Sequence, residues 1–379
     1  MKIALVLKTD GLEYDDRIRK EILSIQRLYP SIKFKIFAML PENKEVEGVT
    51  DYGVPYKSIY IPARDKYASA ERTLTKGYQF WKAVRKDLKE YDAVWTADCE
   101  TMFITLLVRT KCLIWDLHEL PTSLLSHRIK RGILKYAFSR CKVVIHANNQ
   151  RREYLKSLGV VPNPDRHFVL SNYPEIHNEE IKMGEKYQEF KKWANNKKCV
   201  YLQGLNDDGR AAYETIAAIL NIENLNAVVV GPFHKDSMGR LQEEFGDAVN
   251  ERVFFVGRIP QMQITNYMKE CFISAVFYKN TRANNYYCDA NRFYLAVSQG
   301  LPVVVGENPS MRELINKYQF GLSIDTDGTD YLKIMEGLKE LIKDYDFYKA
   351  NVEKSKDKIT WESQDDTIKD IIYGIKEIL

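Results

Sequence analysis

Several short stretches of the chain combine residues able to hold an anion with the spacing of a strand-to-helix turn. GLNDDGR (204–210) follows an apolar run and precedes a helical one. Gly204 and Gly209 let backbone approach a ligand, Asn206 lies between them, and free N–H groups at a helix start favour a diphosphate. Arg210 adds a fixed cation. The same residues also read as a plain βα turn with a surface arginine, because neither a Walker sequence nor GxGxxG is present. DANRFYLAVSQGLPVVVGENPS (289–310) poses the matching question. Asp289 is a candidate N-cap that leaves the next N–H groups unpaired, and Asn291 can bond a phosphate or hydroxyl without adding charge. The alternative is a capped helix with no ligand. Glu307 follows the next apolar run and is a weaker candidate. Lys279, Asn280 and Arg282 follow ISAVFY (273–278), as phosphate contacts or as a solvated loop. His118 and Glu119 sit just past CLIWDL (112–117), with Asp116 two residues before the histidine. A ligand-facing loop and a buried, satisfied histidine both fit.

These residues need strands that end where helices begin. Apolar runs at 3–7, 34–40, 93–97, 112–117, 143–147 and 167–172 alternate with amphipathic stretches such as 17–28. The pattern restarts at 199–204 and continues through 227–231, 253–257, 273–278 and 302–306. Such alternation implies parallel sheets covered by helices on both faces. The polar stretch 179–198 reads as a linker. The expected organisation is two doubly wound domains, 1–178 and 198–361, facing a central cleft at the carboxyl ends of their strands. The last helix, 362–379, is expected to pack back on the first domain.

Composition narrows the classes. Of 379 residues, 45% are apolar and 28% charged, ordinary for a globular protein with a sizeable core. A formal net charge of +4 argues against a nucleic-acid binder driven by bulk charge. The six cysteines are scattered without a CxxC pair, and the six histidines include no HxxxH, so no metal site is expected. Reduced thiols fit a cytoplasmic protein. The opening MKIALVLKTDG reads as a strand too short for a signal peptide, and no apolar stretch approaches the roughly 18 residues of a membrane span.

The order of motifs resembles the retaining nucleotide-sugar glycosyltransferases of GT-B fold, specifically bacterial family 4-like enzymes that build surface polysaccharides. DDRIRKEILSI (15–25) is similar to their first helix, and YDAVWTADCE (91–100) to their strand ending in an acidic loop. WDLHELP (115–121) resembles their D-x-H-E segment, LSNYPE (170–175) their N-Y-P turn, and YLQGLNDDGR (201–210) their glycine-rich second-domain opening. RVFFVGRIPQMQITNYMKECFISAVFY (252–278) and the 289–313 stretch follow in the family's order. The resemblance implies two Rossmann-like domains, an acceptor-side one followed by one that binds the nucleotide-sugar. It implies catalytic roles for His118, Glu119 and Arg210, with His118 positioning the donor sugar, Glu119 binding sugar or acceptor, and the leaving phosphate taking the acceptor proton. Donor contacts would come from Gly204, Asn206, Gly209, Arg210, Lys279, Asp289, Asn291 and Glu307, acceptor contacts from Gly11, Asp16 and Asp98. No cofactor or metal is implied; the acceptor would be a glycan or lipid-linked sugar. One departure stands out. The family's ribose-binding glutamate falls at Leu295, and its partner eight residues earlier at Tyr287. That departure keeps a catalytically inactive glycan-binding or partner-stabilising subunit as a rival, and the fold also admits a nucleotide-sugar 2-epimerase.

SHRIKRGILKYAFSRCK (126–142) carries six lysines and arginines and no acid, with Ile129, Ile133, Leu134 and Tyr136 near helical spacing. It reads either as a peripheral contact with an anionic membrane face or as a core-packed helix with a solvated basic side.

Overall fold

The computed structural model describes residues 1–13, 15–68, 71–175 and 183–376. Part of the expected linker and residues 377–379 of the expected last helix lie outside the described residues. The chain divides into two units, Met1–Asn172 with Gln364–Leu379, and Tyr173–Ser363.

Unit 1 is built on β1 (Lys2–Lys8), β2 (Lys33–Met39), β3 (Val46–Val49), β4 (Pro55–Ser58), β5 (Ala93–Ala97), β6 (Cys112–Leu117), β7 (Val143–His146) and β8 (His167–Val169). Their order in the sheet is β3-β4-β2-β1-β5-β6-β7-β8. β5, β6 and β7 are buried at every residue, as unbroken apolar runs in a doubly covered sheet must be. β3 and β4 were not expected. VEGV and PYKS are short and interrupted by glycine or proline, and they pair at the sheet edge, where such strands are tolerated. From β1 the chain steps one way through helix Asp16–Leu28 to β2. From β4, β5 and β6 it steps the other way, through helices Thr73–Val84, Met102–Leu107 and Arg128–Arg140. Right-handed crossovers therefore put these three helices on the face opposite helix 16–28. The C-terminal helix Asp365–Lys376 packs against helix 16–28 and buries Ile368, Ile371, Ile372 and Ile375. Arg27 donates to both Asp365 carboxylate oxygens at 2.9 and 2.6 Å.

Unit 2 carries β9 (Lys198–Gln203), β10 (Leu225–Val230), β11 (Val253–Gly257), β12 (Ile273–Val276), β13 (Val303–Val305) and β14 (Gly321–Ser323), in the order β11-β10-β9-β12-β13-β14. The three-residue β14 was also not expected. Residues 185–194, expected as linker, form a helix of this unit instead. Its lysines hide an apolar stripe. Phe190 is fully buried, with ring centroids 5.0 Å from Tyr267 and 5.5 Å from Phe254. Substituting Phe190→Ala should cost unit 2 roughly 3–5 kcal/mol through lost burial and a cavity. Urea unfolding followed by Trp193 fluorescence, whose ring lies 5.4 Å from Phe254, measures it.

Candidate functional site

Each sheet has one point where connections leave in opposite directions, between β1 and β5 in unit 1 and between β9 and β12 in unit 2. Loops leaving the carboxyl ends of strands at such a point enclose a crevice. Asp98 follows β5 and His118 follows β6. Gly204 follows β9, Lys279 follows β12 and Glu307 follows β13.

In unit 1 the centre is Asp116, which is fully buried. Arg17, from the first turn of helix 16–28, donates to both of its carboxylate oxygens at 3.1 and 2.9 Å, and also to the Leu170 carbonyl and Asn172 Oδ1 at 2.8 Å. His118 Nε2 lies 2.8 Å from Asp116 Oδ2, and its Nδ1 lies 3.2 Å from Asp98 Oδ2. Burial opposes the imidazolium, but Asp98 and Asp116 on its two sides outweigh burial and raise His118 to about 10. Burial favours the neutral form of Asp116, yet Arg17 and His118 hold its carboxyl below the usual range. Glu21, with Oε1 3.1 Å from Arg17 Nε, is pushed up by burial and by Asp116. Asp98 itself has φ 56° and ψ −178°, a backbone region ordinarily left to glycine and costing about 1–3 kcal/mol. Its N–H donates to the Asp116 carbonyl at 2.8 Å, and its carbonyl accepts from Trp115 Nε1 at 3.0 Å. Its Oδ1 accepts from the His118 and Glu119 N–H groups at 2.9 and 3.4 Å. The strained turn thus holds a carboxylate and the His118–Glu119 loop in one arrangement.

In unit 2 the centre is Gly204, whose φ of 65° suits glycine. A Cβ there would stand 2.8 Å from Arg210 Nη1 and 3.7 Å from Arg292 Nη1. Arg210 donates to the Gly204 carbonyl at 2.7 Å and pairs with Asp207 at 3.2 Å, with its side chain 34% exposed. Arg292 is buried and donates to the Gln203 and Phe277 carbonyls at 2.6 and 3.3 Å; its Nε has no hydrogen-bond partner among the described residues. Both guanidiniums lie over the Tyr278 ring, at 5.9 and 4.8 Å from its centroid. Two cations therefore meet backbone at the end of β9.

The other expected residues fall around these centres in different ways. Asp289 is not the N-cap of helix Asn291–Ser298. Ala290 is, without a side-chain cap, because the Asp289 carboxylate turns to accept the Tyr294 hydroxyl. Asn291 is exposed at the helix start, and Asn206 is exposed in its loop. The Lys279 ammonium is buried between Asp208 at 2.8 Å and Glu214 at 3.0 Å, so it braces the Gly204 loop from below. The Gly209 carbonyl accepts from the Lys279 N–H at 2.8 Å, and Glu307 is half-buried. Gly11 lies in the β1 loop, its carbonyl accepting from Asp15 at 3.1 Å. Asp16 is paired locally with Arg19 and Lys20, each at 2.8 Å. Glu119 is exposed. Arg17 and Arg292 were missed as site residues. The available signal was an arginine in the first turn of a helix that follows or faces a strand end. Among the described residues no group of His, Cys, Asp or Glu could hold a metal ion.

No protein-family model matches the chain, and no curated protein does. Solved structures match it along its whole length. Sucrose-phosphate synthase from Thermosynechococcus elongatus superimposes with TM-score 0.74 at 13% identity, covering 100% of both chains. Anabaena HepE in complex with UDP gives 0.71 at 14%, covering 98% of this chain and 100% of its own. The E. coli trehalose-6-phosphate structure bound with UDP-2-fluoro glucose gives 0.74 at 10%, covering 99% of each chain. The chain has the GT-B fold. Within this GT-B chain the two clusters differ in balance: cations and carboxylates alternate in unit 1, whereas two arginines converge on backbone in unit 2.

His118 supplies a pH test. Its folded value, about 10, lies above the ordinary 6.5, so its contribution to stability is complete below pH 6.5 and is lost as pH rises through about 10. NMR of the ring should show His118 protonated from pH 6 to 8, and His118→Ala should flatten the stability profile above neutral pH.

Proposed function

We propose that the chain is a glycosyltransferase that moves a sugar from a nucleotide-sugar donor to a glycan or lipid-linked acceptor, retaining the anomeric configuration. The observation that carries this reading is the convergence of Arg210 and Arg292 on Gly204 at the carboxyl end of β9. A diphosphate placed there meets two fixed cations and a backbone bare of Cβ. As the anomeric C–O bond breaks, its electron pair leaves on the diphosphate, where the arginines hold the growing charge. The acceptor oxygen bonds to the anomeric carbon, and its proton passes to the leaving phosphate. The two arginines supply the positive charge that a metal supplies elsewhere, so the reaction is assigned as metal-independent.

Unit 1 takes the acceptor side, through Gly11, Asp98 and Glu119. His118 is no general base, since its imidazolium is held by two carboxylates. Both ring nitrogens are engaged, so its role is to hold the Asp98–Glu119 loop and not to reach a sugar. A 2-epimerase needs freely exchanging acid–base groups, which this locked cluster does not favour. Residues 126–142 bring the protein to the cytoplasmic membrane face, where a lipid-linked acceptor would lie in polysaccharide biosynthesis. Among the described residues no helix is long and apolar enough to cross a membrane.

Leu295 favours a second reading, a catalytically inactive subunit that binds a glycan or a partner. It is half-buried and packs against the apolar cluster of unit 2, where a glutamate would present an acceptor. Two measurements separate the readings. A nucleoside diphosphate should raise the melting temperature, and Arg210→Ala should remove sugar transfer at a cost of about 2–4 kcal/mol in transition-state stabilisation while leaving the melt intact. No melting shift with any nucleoside diphosphate selects the inactive subunit. Leu295→Glu should tighten nucleoside diphosphate binding in titration calorimetry by about 1 kcal/mol, through one restored hydrogen bond.

A further inference from the structure

Helix 128–140 carries more apolar surface than its core contact uses. Leu134, Ala137 and Phe138 are buried, whereas Ile129, Ile133 and Tyr136, at i, i+4 and i+7, point to solvent, Ile129 with 71% of its surface exposed. Its two neighbours in the same layer repeat the pattern. Helix 73–84 exposes Leu74 and Tyr78 one turn apart, Leu74 at 65%, and helix 102–107 ends on exposed Leu107. The three helices are fastened together. Arg140 donates to the Thr105 and Val108 carbonyls at the end of helix 102–107, and Gly77 admits the Phe103 ring, which would stand 2.8 Å from a Cβ.

Within these three helices and the residues that follow them directly the charge has one sign. The chain has 52 acids against 56 lysines and arginines, yet 73–86, 102–111 and 126–142 contain no Asp or Glu. Lys82, Arg85, Arg109, Arg128, Lys130 and Lys135 are all exposed there. Lysine is depleted at the centres of protein–protein interfaces, whereas basic residues around exposed aliphatic and tyrosine side chains are the composition of a helix lying in a bilayer surface. We propose that helices 73–84, 102–107 and 128–140 together form a docking surface for an anionic lipid bilayer. Leu74, Tyr78, Ile129, Ile133 and Tyr136 enter the interface while the basic side chains meet the headgroups. The inference rests on the membrane reading of residues 126–142 and extends it from one helix to a three-helix platform, which sets the orientation of unit 1 on the lipid.

The test uses the full chain and vesicles of phosphatidylcholine alone or mixed with phosphatidylglycerol. The protein should sediment with the anionic vesicles only and come off in part as salt rises. Trp81 on helix 73–84 is a native reporter, half-buried beside Tyr78 at 5.6 Å. Brominated lipid should quench its emission, and Trp81→Phe should abolish that quenching. Leu74→Ser with Tyr78→Ser, and separately Ile129→Ser with Ile133→Ser, should each lower partition roughly tenfold or more by removing inserted apolar groups. These positions are exposed, so melting and circular dichroism should match the parent. Binding that needs Ile129 and Ile133 but not Leu74 and Tyr78, without Trp81 quenching, overturns the platform and leaves the single-helix reading. No preference for anionic vesicles overturns both. Self-association through these residues without vesicle binding overturns them in favour of a second copy of the chain. None of these outcomes bears on sugar transfer, which nucleoside diphosphate titration reports separately.

Discussion

A parallel strand cannot be followed by a tight hairpin; the chain must cross a face of the sheet and re-enter from the same end. All strand pairs in the two sheets are parallel except β3–β4. This constraint collects the loops after β1, β5 and β6 at one edge of unit 1, and those after β9, β12 and β13 at one edge of unit 2. Residues as distant as Arg17, Asp98, Asp116 and His118 become neighbours through it. The same geometry explains how Gly204, Arg210 and Arg292 meet, although 88 positions separate the first from the last.

The two edges solve the problem of buried charge in opposite ways. In unit 1 a fully buried carboxylate is satisfied by a bidentate guanidinium and an imidazolium, so a row of alternating charges runs from Arg17 through Asp116 and His118 to Asp98. Removing one member leaves its partner charged and unpaired, which is why such rows hold a loop in one conformation. In unit 2 the arginines donate mainly to backbone carbonyls, and Arg210 has one acidic partner, Asp207. Their positive charge is less cancelled than that of Arg17. The donor-phosphate site proposed for unit 2 rests on this asymmetry.

The fold alone does not decide a reaction, because one architecture hosts many chemistries. Function lies in particular side chains. His118 in unit 1 has both ring nitrogens engaged by carboxylates, Arg210 and Arg292 in unit 2 converge at the end of β9, and Leu295 packs against the apolar cluster of that unit.

Much of the architecture was legible along the chain. Buried parallel strands such as AVWTA and CLIWDL are continuous apolar runs, and continuity needs no partner to be seen. GLNDDGR announced a glycine turn with a cation because those properties belong to the residues themselves. VEGV at the sheet edge and PYKS beside it were hidden, since pairing with neighbours and not composition makes them strands. Helix 185–194 was hidden by its lysines, whose charged ends cover the stripe that Phe190 buries. Long-range direction was the other missing quantity. Asp289 had the chemistry of a cap and spent it on Tyr294, and Arg292 turned inward to the end of β9. His118 received both its carboxylates only when β5 and β6 were laid side by side. The sequence by itself determined which residues are able to bind an anion or carry a proton. The tertiary structure decided which of those capacities are already used up inside the protein, because hydrogen bonds and ion pairs act over a few ångströms of space and are indifferent to separation along the chain.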